Sequence, residues 1–161
     1  MSGRDSQRLK VYQAEDFAGT LFTRAAQHNS RTIDFFGSPL TLPPEARFSG
    51  VESVQRYVDQ VLAMPAVTAR WPHATPVTVR ARRGAHAAHY SAGVIAIPEH
   101  RIDNPWLREC VVLHELGHHL APAGAAHGPE FVAAYCDLVT VVIGPEAGHL
   151  LRVVFCQNGV R

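Results

Sequence analysis

The sequence predicts an α+β domain. Three observations carry that prediction: apolar residues recur at helical spacing in several separate segments, two stretches near the middle alternate as strands do, and the last third is helical throughout. The 161 residues suit one domain, 1–161, long enough to bury a core. A composition of 47% hydrophobic and 18% charged residues is that of a globular protein. The formal net charge of +1 points neither to a polyanion binder nor to an acidic tail.

Taken in order, residues 1–12 read as a frayed start, and Ala14 to Asn29 as a helix whose apolar residues are Phe17, Leu21, Phe22 and Ala25. Arg31 to Phe48 reads as extended, with a turn at Gly37-Ser38-Pro39, and Pro43-Pro44 excludes a helix. A second helix fits Val51 to Met64, with Val54, Tyr57, Val58, Val61 and Leu62 on one face and Pro65 closing it. Pro76 to Arg83 alternates as a strand, with Val77, Val79 and Ala81 on one side, and His89 to Pro98 reads as another. Asn104 as N-cap and Pro105 as first residue open a third helix to about Leu120. The apolar run at residues 110–113 makes that helix a buried, central one. A fourth helix follows from Gly128-Pro129 to about Val142 and a fifth from Pro145 to about Phe155.

The N-terminal residues lack the apolar core of a signal peptide, and no apolar run approaches the ~18 residues needed to span a membrane. The expected setting is therefore cytoplasmic. Cys110, Cys136 and Cys156 are odd in number and form no CxxC pair, which excludes a cysteine zinc ribbon and reads as buried apolar thiols. Arg80, Arg82 and Arg83 read as a solvated strand face, so nucleic acid is not indicated as a partner.

The chemistry lies in the third and fourth helices. His114 and His118 are four residues apart, so on a helix they stack on one face, and their imidazoles converge on a single cation. Glu115 is rotated about 100° from His114, the place of the general base in the helical HExxH pattern. A catalytic metal needs a third protein ligand and an open position. The turn at residues 121–126 reverses the chain, and His127 at the threshold of the next helix is the preferred third ligand. Glu130, one turn further, is the next choice. His119 faces away from His118 and ranks last. Tyr90, His89, His119 and Tyr135 are candidates to stabilise an oxyanion, and Asp137 or Glu130 to accept a hydrogen bond from a ligand imidazole.

The string HELGHH…HGPEF, from His114 to Phe131, resembles the active-site segment of SprT-like zinc peptidases over residues 90–135. Together with Gly93-Val94-Ile95-Ala96-Ile97-Pro98 it resembles a small actinobacterial metallohydrolase family, and that likeness spans most of the chain. The resemblance implies one Zn²⁺ per chain on His114, His118 and His127, with Glu115 as catalytic base. It also implies a zincin-like fold, in which a small, mainly antiparallel sheet packs on the HExxH helix and further helices follow. In such folds the strand before the active helix, here Tyr90 to Ile97, pairs with an extended peptide or protein substrate. The spacer from His118 to His127 is shorter than in many SprT-like enzymes, and no cysteine-rich module follows, so repair of DNA–protein crosslinks is not implied. The expected function is a zinc-dependent hydrolase cleaving peptide bonds. The alternative is a non-catalytic zincin-fold module that binds or regulates a partner, and the intact Glu115 speaks against it.

Overall fold

A computed structural model of the chain describes residues 5–84, 86–98 and 103–161. The elements in order are α1 (Arg8–Ala26), β1 (Thr32–Phe35), β2 (Ser38–Thr41), α2 (Val51–Ala63), α3 (Pro65–Arg70), β3 (Thr78–Arg82), β4 (His89–Ser91), β5 (Val94–Pro98), α4 (Glu109–Leu120), α5 (Pro129–Val142) and α6 (Pro145–Gln157). The class is α+β. No helix among the described residues is long and apolar enough to cross a membrane. The chain forms two compact units, one made of the chain up to Glu45 together with Pro122–Arg161, the other of Ala46–Ala121.

In the first unit α1 packs on α6, and α6 on α5. Val11, Ala14, Ala18, Leu21, Phe22 and Ala25 form the buried stripe of α1. Because that stripe begins at Val11, the helix starts at Arg8, earlier than the expected Ala14, and residues 8–12 are helical rather than frayed. Residues 1–4 of the expected frayed start lie outside the described residues. Phe17, expected on the inner face, is 44% exposed. β1 and β2 form an antiparallel hairpin in which Phe35 faces Ser38. Its turn is Phe36-Gly37, one residue before the expected one, and both residues have positive φ (50° and 83°). Glycine takes that conformation without steric cost. Gly37 N–H is also held by Asp34 Oδ1 at 2.9 Å.

α5 and α6 begin where Gly-Pro pairs place them, since Pro129 and Pro145 occupy first-turn positions that need no N–H partner. Their close approach depends on Gly148, where a β-carbon would sit 2.8 Å from Thr140 Cβ. Arg152 reaches across to Thr140 Oγ1 and Asp137 Oδ1, each at 2.8 Å.

The second unit holds the three-stranded sheet, in the order β3-β5-β4. β5 pairs in parallel with β3 and antiparallel with β4. The sheet is thus mixed rather than mainly antiparallel. The single strand expected over His89–Pro98 is two, because Ala92-Gly93 (φ 47° and 81°) folds it into the β4–β5 hairpin. As the middle strand, β5 has both edges taken. That corrects the expectation that Tyr90 to Ile97 as a whole receives a substrate strand, since of that stretch only β4 lies at an edge. The outer edge of β3 is met by a side chain instead of a strand. Gln55 of α2 donates to Val77 O (2.9 Å) and accepts from Val79 N–H (2.6 Å), which satisfies backbone groups an unpaired edge would expose. Val77 and Val79 are buried, but Ala81 is exposed. Pro65 ends α2 and also supplies the first residue of α3.

α4 starts at Glu109 instead of Pro105. Asn104 forms a turn upstream: its Oδ1 accepts Trp106 N–H at 3.0 Å and its side-chain amide donates to Pro98 O. Residues 46–48 then run beside 107–109, with Phe48 N–H on Leu107 O and Glu109 N–H on Ala46 O, both 3.0 Å. The buried Glu109 carboxylate accepts Ala46 N–H (2.7 Å) and Tyr57 O–H (2.6 Å), fixing the start of the helix. Eight residues of α4 are buried, Glu109, His114 and Glu115 among them.

Gly148→Ala is expected to destabilise the protein by about 1–3 kcal/mol, because Thr140 is short, branched and held by Arg152. Urea unfolding measures this, and an unchanged midpoint would show that α5 and α6 can separate at little cost.

Candidate metal centre

α4 brings its two histidines together as the i, i+4 spacing requires. His114 Nε2 and His118 Nε2 are 3.1 Å apart, and the rings meet nearly edge to face, with centroids 4.9 Å apart at 72°. His114 is 3% exposed and Glu115 5%, so an imidazole and a carboxylate sit side by side in a buried helix. A low-dielectric setting makes every charge there act more strongly than it would in water.

His119 does different work. Its Nε2 lies 2.8 Å from Thr75 O and its Nδ1 2.9 Å from the Tyr90 hydroxyl. A carbonyl can only accept, so Nε2 carries the proton and Nδ1 accepts from Tyr90. The Tyr90 oxygen in turn accepts Gly93 N–H at 3.0 Å. Both ring nitrogens of His119 are therefore committed to holding the β4–β5 hairpin and the Thr75 segment. The Tyr90 proton is committed with them. Among the other oxyanion candidates, His89 is exposed on β4, and Tyr135 is buried between Phe131 and Phe155.

His127 immediately precedes Gly128, the cap of α5. It is 5% exposed, and its ring is contacted edge-on by Tyr12 (5.4 Å) and Phe131 (5.1 Å). Its Nδ1 lies 2.8 Å from Asp5 Oδ2. Asp5 had no signal in the sequence, being 122 positions away. The two acceptors expected for ligand imidazoles are placed elsewhere: Glu130 is exposed, with its carboxylate folded over Gly124 and Gly128, and Asp137 pairs with Arg152.

His114, His118 and His127 each offer one ligand atom, and these three atoms all lie within 4.8 Å of one another, close enough to bind one metal ion. No other such group of histidine, cysteine and carboxylate residues occurs among the described residues. Cys136 on α5 is no source of thiolate, because burial pushes its pKa up to about 12. No family model, curated protein or solved structure matches the chain.

Replacing His119 by alanine is expected to cost about 1–3 kcal/mol through the two lost hydrogen bonds, with metal stoichiometry unchanged. Paired unfolding and metal-titration measurements check this, and loss of bound metal in His119→Ala would make that residue a ligand after all.

Proposed function

We propose that the chain is a zinc-dependent hydrolase, specifically a metallopeptidase, with His114, His118 and His127 as ligands and Glu115 as general base. The observation that carries the proposal is the approach of three imidazole nitrogens to within 4.8 Å of one another, two of them from consecutive turns of α4. Two Zn–N bonds of about 2.0–2.1 Å at the tetrahedral angle put their nitrogens about 3.4 Å apart. The 3.1 Å between His114 Nε2 and His118 Nε2 is on that scale. A set of three imidazoles would suit zinc, and three protein ligands would leave room for water or substrate, as catalytic sites require.

When bound, zinc lowers the pKa of a water toward ~7 and polarises a carbonyl oxygen. The chain's own part is proton transfer. Glu115, next to the first ligand and 5% exposed, accepts the proton of the attacking water and passes it to the leaving amine. Tyr90 is held with its proton on His119, so it stiffens the sheet beside α4 rather than donating to an oxyanion. The likeness of HELGHH…HGPEF to SprT-like peptidases and to the actinobacterial metallohydrolases favours peptide bonds in a protein or peptide substrate. A non-catalytic binding module would have no use for Glu115 beside its ligands.

The test is turnover of a panel of fluorogenic peptides and simple amides by the zinc-loaded protein. Glu115→Gln is expected to keep its metal and lose about 10²–10⁴-fold in rate, the usual share of a general base. His127→Ala is expected to lose most of its metal affinity. Equal rates for Glu115→Gln and the unaltered chain would overturn the mechanism.

A further inference from the structure

The segment preceding α1 carries a carboxylate to the third histidine. Asp5 Oδ2 stands 2.8 Å from His127 Nδ1, and a second side chain anchors the same segment. Gln7 Nε2 donates to His127 O (3.0 Å) and to Arg161 O (2.7 Å), while Gln7 Oε1 accepts Arg161 N–H (2.6 Å). One amide thus ties the backbones of His127 and Arg161 to the start of α1. The ring of His127 is bounded by Tyr12 and Phe131, so its plane is set by packing and its tautomer by Asp5.

Asp5 has one feature that its bond to His127 does not account for. Its Oδ1 is buried and has no hydrogen-bond partner among the described residues. A buried anionic oxygen without a donor is costly unless positive charge lies nearby. A cation on the far nitrogen of His127 supplies such charge through the ring.

We propose that Asp5 is the positioning residue of the third metal ligand. It takes the Nδ1–H of His127, so that Nε2 bears the lone pair left to face a cation. The role rests on the metal-site reading above. It also makes the segment ahead of α1 part of the metal centre, although no metal-binding motif extends there.

The experiment compares the full-length chain with Asp5→Ala and Asp5→Asn, reading Zn²⁺ affinity by competition with a chromophoric chelator and the visible absorption spectrum of the Co²⁺-loaded protein. Asp5→Ala is expected to raise the Zn²⁺ dissociation constant about 10–100-fold and to change the Co²⁺ bands, as loss of an outer partner of a ligand does. Asp5→Asn, nearly isosteric and still an acceptor, is expected to fall between, and it carries the test if the alanine variant does not fold. Wild-type Zn²⁺ affinity and Co²⁺ spectrum in both variants, with only the melting temperature lowered, would reduce Asp5 to a structural contact and overturn the proposal. Failure of the unaltered chain to take up Zn²⁺ or Co²⁺ would instead remove the metal site itself, and this role with it.

Discussion

Burial of α4 is the constraint on which the second unit depends. A helix with eight buried residues must place every polar group it carries, and this one carries Glu109, His114 and Glu115 among them. At its start the cost is met by Ala46 and Tyr57, which bind both oxygens of Glu109. At its end His119 points its ring nitrogens at Thr75 and Tyr90, so the last turn is fixed to the sheet. Between those two anchors the helix presents His114 and His118 with their Nε2 atoms 3.1 Å apart. Two imidazoles brought this close on one face of a helix suit a cation.

The first unit solves a related problem at one residue. His127 sits where the chain enters α5, and its position is specified from both backbone and ring. Gln7 holds its carbonyl and Asp5 its Nδ1, and two aromatic rings pack against its imidazole. The Gly128-Pro129 start leaves the backbone just after it in the conformation a helix entry needs. Asp5 and Gln7 belong to the segment that runs into α1, and α1 itself packs on α6. This histidine is thus supported by parts of the chain with no motif of their own.

Much of the fold was legible because local signals agreed with it. Gly128-Pro129 and Pro145 marked two helix starts to the residue, and the valine stripe of α2 gave its buried face. Where two local signals compete, the more conspicuous one misleads. Asn104-Pro105 has the form of a helix start, yet Asn104 spends its side chain on Trp106 and Pro98, and the helix waits until Glu109 can be paired. The turn at Ala92-Gly93 is masked in the sequence, because a residue other than glycine at positive φ leaves no compositional trace. The parallel pairing of β3 with β5 joins segments through tertiary structure alone, so alternation within either strand could not reveal it. The histidines were legible for the opposite reason. Spacing on one helix and a short turn bring them together, and both are local properties. Asp5 was not, since its partner lies across nearly the whole chain.

The proposed activity requires a metal ion held by His114, His118 and His127. The most direct test is elemental analysis of the purified protein beside the His114→Ala variant. About one zinc per chain is expected in the unaltered protein, as a single three-histidine site requires, and its loss in the variant. An unaltered protein that carries no metal and takes up none on adding zinc would contradict it, and residues 114–127 would then be a histidine-rich stretch of core.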